Sequence, residues 1–148
     1  MIKTYNPAFR NTILEKLKSQ TFLNYIGFTF TNIAEGNIEG ELILEDYHKQ
    51  PLGILHGGVT ATLADTVAGY AAITLVPQEF NVVTAELKIS YLNPGLGPII
   101  RARGWVLKQG KNLNFCEAEV FSINAAGEQL LIAKASAIMA TLHPADKN

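Results

Sequence analysis

A single carboxylate, Asp65, interrupts the stretch from Gly57 to Val76, which is otherwise apolar or hydroxylic. A helix of this composition is expected to be buried on nearly all sides. A carboxylate buried there is costly unless it is paired, hydrogen-bonded or kept for chemistry. Directly ahead stand His56, Gly57 and Gly58, where glycines leave backbone N–H groups open to a ligand at a helix start. An oxyanion-binding helix N-terminus and a lone acid are the two parts that acyl-transfer hydrolysis requires. Asp65 would either attack a carbonyl directly or activate water as a general base. The sequence leaves both routes open.

The spacing of these parts carries a second expectation. Eight residues separate Gly57 from Asp65, roughly 12 Å along a helix axis at 1.5 Å per residue. Both cannot touch one reacting carbonyl from the same chain. A second copy must supply one of them, with the two helices antiparallel about a two-fold axis. The chain is thus expected to be an obligate homodimer with two shared sites, inactive as a monomer.

Other elements must hold this helix. Residues 8–19 place Phe9, Ile13, Leu14 and Leu17 on one helical stripe, with Pro7 suited to the start. Gly27 is expected to open a first strand running to about Ile33, and Glu35-Gly36-Asn37 to turn it into a second, Ile38 to Leu44. After Pro77 the period becomes two, giving four strands at about 82–92, 99–108, 112–123 and 129–141. Short links between consecutive strands predict antiparallel neighbours.

One alternation set of these strands holds Ala102, Gly104, Val106, Cys116, Ala118, Val120, Ala133, Ala135, Ala137 and Met139, with Ala85, Leu87 and Ile89. The other holds Glu86, Lys88, Arg101, Arg103, Glu117, Glu119 and Lys134, which can pair across strands on an exposed face. A trough of small side chains lets a helix approach the sheet closely. The expected architecture is α+β: an antiparallel sheet wrapped around the long central helix, with an extra N-terminal helix.

Composition bounds the alternatives. The 148 residues form one domain, 1–148, with 48% hydrophobic and 17% charged residues. A net charge of -1 gives no basic footprint for nucleic acid. The N-terminal residues lack the apolar region of a signal peptide, and Asp65 argues against a membrane span at 59–76. A single cysteine, Cys116, fits a reducing compartment and reads as packing. A cytoplasmic location is expected. His48 and His143 read as surface residues, and no metal set stands at recognisable spacing.

The segment Leu55-His56-Gly57-Gly58-Val59-Thr60-Ala61-Thr62-Leu63-Ala64-Asp65, supported by Thr84 to Pro94 and Val106 to Lys111, resembles the PaaI-like hotdog-fold thioesterases. That group is related to the 4-hydroxybenzoyl-CoA thioesterases. The resemblance spans about residues 20–141. It implies a hotdog fold, hydrolysis of acyl-CoA to a free acid and CoA, and a dimer of dimers. It gives Asp65 the role of nucleophile or base and the Gly57 N–H that of oxyanion donor, with His56 shaping the turn. Gln50, six residues before His56, would hydrogen-bond the thioester or the water. Thr84 would orient the water; simple alternation puts it on the charged face with Glu86, so a bulge would have to turn it inward. Gly58, Lys108, Gly110 and Lys111 are the candidate contacts to substrate and CoA phosphates, with Arg101 or Arg103 assisting. Tyr70, Phe80 and Tyr91 are candidates to line an acyl pocket. No cofactor is implied, since CoA belongs to the substrate. Two alternatives are an acyl-CoA-binding module without turnover and a hotdog dehydratase or hydratase, whose usual His-based motif is not found.

Overall fold

In the computed structural model, which describes residues 1–146, the chain runs through three helices and six strands. Helix α1 spans Phe9–Lys18 and α2 Thr21–Ile26; strands β1 (Phe28–Ala34) and β2 (Asn37–Ile43) follow. Helix α3 is Gly57–Ile73, and β3 (Asn81–Tyr91), β4 (Ile99–Gln109), β5 (Leu113–Ile123) and β6 (Gln129–Leu142) complete the sheet. A short 3₁₀ turn, Asp46–His48, precedes α3 and another, Pro144–Asp146, follows β6.

All six strands form one antiparallel sheet in the order β1-β2-β4-β5-β6-β3. The α+β wrap expected from the alternation is therefore present, and the helix lies on the small-residue face. Leu63, Val67 and Ala71 of α3 are fully buried, as are Ala102, Val120 and Ala133 beneath them. Gly104 marks the closest approach. A Cβ built on it would stand 2.6 Å from the backbone carbon of Val67 and 2.7 Å from the nitrogen of Ala68. Helix backbone thus occupies the space where any other residue would carry a side chain. The opposite face carries the expected charge ladder: Arg101 with Glu41, Arg103 with Glu119, and Lys134 near Glu117 and Glu119.

Three expectations need correction. First, β3 does not neighbour β4; it pairs with β6 at the sheet edge. The link 92–98 reaches about 23 Å when extended, while skipping two strands requires only ~14 Å at 4.8 Å spacing. It is fixed on the way, with Leu92 N–H donating to Ile132 O at 2.8 Å and Gly97 N–H to Ser122 Oγ at 2.8 Å. Second, Gly27 does not open a strand but caps α2 in the left-handed region, with φ 79°. Helix α2 is too short for its period to show in the sequence. Third, α3 is not enclosed on nearly all sides. Gly57, Ala61, Thr62, Asp65, Thr66, Gly69 and Ile73 form a half-exposed stripe along one face.

Candidate active site

The carboxylate of Asp65 lies on that open stripe, and β3 reaches it. Thr84 Oγ donates to Asp65 Oδ1 at 2.6 Å. Regular alternation would point Thr84 the other way. The pairing of β3 with β6 slips between Thr84 and Glu86, leaving Ala85 as an extra residue. This bulge puts Thr84 opposite the buried Met139, on the face shared by Leu87 and Ala137. Asp65 and Thr84 line a cavity of about 450 Å³ between α1, α3 and the start of β3.

Gln50 and Gly57 line a different cavity, of about 380 Å³, walled by Ile54, Leu55, Tyr91 and Ile132. His56 caps α3: its Nδ1 accepts from Gly58 N–H at 2.8 Å. An accepting Nδ1 leaves the ring proton of neutral His56 on Nε2. The cap takes the Gly58 N–H, whereas the Gly57 N–H donates to no acceptor among the described residues. Of the two glycines, Gly57 therefore keeps the open donor at the positive end of the helix dipole. Tyr91 covers this turn, donating from its hydroxyl to Gly57 O at 3.0 Å. Gln50 is held by its own loop, where its Oε1 accepts from Leu52 N–H at 3.0 Å and its N–H donates to Ile54 O.

The sequence profile of the Thioesterase superfamily matches residues 52–126, the span from the loop before α3 into the β5–β6 turn. The chain belongs to this superfamily. It is 32% identical over 115 residues to the human acyl-coenzyme A thioesterase 13, covering 76% of this chain and 81% of that protein. A thioesterase family protein from Silicibacter pomeroyi superposes with a TM-score of 0.88 at 28% identity, over 90% of this chain and 98% of that one. The E. coli PaaI protein from the phenylacetic acid degradation operon shares the fold, with a TM-score of 0.80 at 19% identity, covering 91% and 94%. The hotdog fold and thioesterase activity expected from the sequence stand on these findings.

The remaining candidates of this thioesterase lie in different parts of the fold. Tyr70 is buried on α3, lines the Asp65 cavity, and packs edge-on against Phe30 at 4.9 Å. Burial pushes its hydroxyl above the usual phenol range. Its oxygen accepts from Gln20 Nε2 at 3.2 Å. Lys108, Gly110 and Lys111 are exposed at the β4–β5 hairpin. Arg101 and Arg103 are engaged instead with Glu41 and Glu119 at 2.6 Å. Phe80 stands apart, its ring tilted against that of His143 with centroids 4.6 Å apart.

His48 is not a surface residue. It is 2% exposed, accepts from Glu45 N–H at Nδ1 (2.9 Å), and bonds through Nε2 to Ile26 O at 2.7 Å. It ties the loop before α3 to the end of α2, and its own carbonyl accepts from His56 N–H. Its isolated position in a polar loop gave no sign of this. Cys116 is buried, and burial pushes its thiol up to about 12. Among the described residues, no group of three or more His, Cys, Asp or Glu is placed to hold a metal ion, and no helix is long and apolar enough to cross a membrane.

Proposed function

We propose that this thioesterase hydrolyses acyl-CoA to a free acid and CoA at sites assembled from two chains, Asp65 and Thr84 coming from one and Gln50 and Gly57 from the other. The observation that carries this reading is the division of these residues between two separate cavities of one chain. The half-exposed stripe on α3 supplies the surface on which a second copy would close them. Antiparallel α3 helices about a two-fold axis bring each Asp65 toward the other chain's Gly57. The open edge of β3 and the exposed Val83 beside it favour the same face.

In the assembled site the thioester carbonyl points at the Gly57 N–H, where developing negative charge is stabilised. Asp65, oriented by the Thr84 hydroxyl, attacks the carbonyl carbon or takes a proton from attacking water. The CoA thiolate leaves and takes up a proton; on the nucleophilic route water then hydrolyses the mixed anhydride left on Asp65, releasing the acid and restoring the carboxylate. The Nε2 group of Gln50, whose Oε1 is held by the Leu52 N–H, hydrogen-bonds the thioester or the water, while Lys108, Gly110 and Lys111 meet the CoA phosphates. A dimer of dimers follows the same reading, supported by the exposed Leu107, Leu113 and Phe115 around the β4–β5 hairpin. A cytoplasmic location belongs to this reading as well.

Subunit mixing tests the shared site. Asp65→Ala and Gln50→Ala chains, each impaired alone, are mixed, unfolded and refolded together, and thiol release from acyl-CoAs is followed. Random pairing places one intact site on each mixed dimer, restoring about a quarter of wild-type turnover. Recovery no greater than the sum of the parents rejects the shared site. Thiol release unaffected by Asp65→Ala rejects Asp65 as its agent and favours binding without Asp65-dependent turnover.

A further inference from the structure

The cavity holding Asp65 and Thr84 has a mixed lining, to which Gly69, Ile73 and Val82 contribute the apolar part. Its far end is polar. There α1 and the residues after it deliver Lys16 and Gln20, each hydrogen-bonded to the body of the fold. Lys16 Nζ donates to Asn81 Oδ1 at 2.7 Å, and Gln20 Nε2 to the Tyr70 hydroxyl at 3.2 Å. All four side chains line the same cavity as Asp65.

Distances along the elements place this polar end. Asn81 precedes Thr84 by three residues on β3, ~10 Å at 3.3 Å per residue. Tyr70 follows Asp65 by five residues on α3, about 7.5 Å along the axis. Both displacements run toward the C-terminal end of α3, so the polar groups lie one acyl chain away from the reacting atoms.

The donor inventory says what fits there. An ammonium has three N–H donors, of which Lys16 spends one on the neutral oxygen of Asn81. The Tyr70 oxygen accepts from Gln20, which leaves its own O–H to donate. Burial keeps that phenol protonated. The half-buried Lys16 cation thus lines the same cavity as a second donor, in a pocket whose carboxylate, Asp65, is held by Thr84. An anionic oxygen pair satisfies these donors with charge-assisted bonds; a terminal methyl satisfies neither.

The geometry points to acyl groups carrying a carboxylate at the end remote from the thioester, that is, half-thioesters of dicarboxylic acids, with Lys16 and Tyr70 as the groups that select them. The inference rests on the thioesterase reading of the Asp65 cavity. It concerns which acyl group enters and leaves the hydrolytic step unchanged.

A matched pair tests it: adipoyl-CoA against hexanoyl-CoA, equal in chain length and different only in the terminal carboxylate. Wild-type kcat/KM is expected to favour adipoyl-CoA by about 10- to 100-fold, as a charge-assisted bond warrants. In Lys16→Met the ratio should fall toward unity, chiefly through KM, and in Tyr70→Phe it should fall part of the way. Wild-type preference for hexanoyl-CoA, or a ratio that Lys16→Met leaves in place, overturns the inference while the enzyme reading stands. Absence of Asp65-dependent thiol release from either substrate and from an aryl-CoA panel removes both together.

Discussion

Thr84 and Asp65, nineteen positions apart in the chain, share a hydrogen bond of 2.6 Å across the edge of the sheet. The bond orients one carboxylate oxygen and leaves the other open to the cavity. A hydrogen bond to a charged group is worth about 1.5–3 kcal/mol. Thr84→Ala is therefore expected to lower kcat by about 10- to 100-fold. Asp65→Asn removes the nucleophile or base itself and should cost on the order of 100- to 10,000-fold. Thiol-release kinetics measure both, and thermal melting should show small changes, because both side chains border open space. A Thr84→Ala enzyme with wild-type kcat would separate this bond from catalysis.

The donor at Gly57 is a backbone group, yet it can be deleted. Gly57 is the first residue of α3, where proline is well tolerated because no intrahelical bond uses that N–H. His56, at φ -64° and ψ 134°, already has the conformation that a following proline demands. Gly57→Pro should fold and melt near wild type but lose about 100- to 1,000-fold in kcat. Gly57→Ala keeps the N–H, and its Cβ would meet the Tyr91 ring at an ordinary 3.4 Å. It should lose far less. Equal losses in the two variants would assign the effect to the added bulk.

Gly104 offers a test of the fold alone. Its missing side chain admits the α3 backbone at Val67 and Ala68. Gly104→Val must push the helix off the sheet, at a cost of about 1–3 kcal/mol or more, read as a drop of several degrees in Tm. An unchanged Tm would mean that α3 can slide without loss.

Alkaline stability should report Cys116. Its thiol, ordinarily near 9, is raised to about 12 by burial. The unfolded chain ionises above pH 9 while the folded one stays neutral, so the folded state binds the extra proton and stability falls as pH rises. The slope from this group approaches about 1.4 kcal/mol per pH unit between 9 and 12. Cys116→Ala should flatten denaturation midpoints over that window relative to wild type, whatever its effect at pH 7. Parallel curves would show that the thiol ionises equally in both states.

Where a residue's role depended on period and composition, the sequence was readable. The Ala- and Gly-rich strand faces announced the helix-bearing side of the sheet, and the Arg and Glu positions announced the ion pairs opposite. The Gly57-to-Asp65 interval was readable too, because helix rise is constant. Position in three dimensions was harder. Alternation alone sends Thr84 to the solvent face, and Ala85, which corrects it, looks like any other strand residue. His48 is buried because α2 ends over it, and α2 is too brief to be periodic. The link from β3 to β4 is short in residues but long enough to cross two strands, so sequence proximity misjudged the strand order. The apolar character of α3 points to burial on nearly all sides, whereas one stripe of its face lies half-exposed in the chain.

The bulge at Ala85 makes β3 an unusual place for a gain or loss of one residue. Deleting Ala85 would remove the kink and leave Thr84 inward, Glu86 outward and Leu87 inward, the parity of an ordinary strand. Deleting any single residue between Glu86 and Tyr91 would invert the facing of one flank, detaching either the Thr84 anchor on Asp65 or the Tyr91 anchor on Gly57. Related chains that differ in length within this strand should therefore differ at position 85, where a residue can come and go without disturbing either anchor.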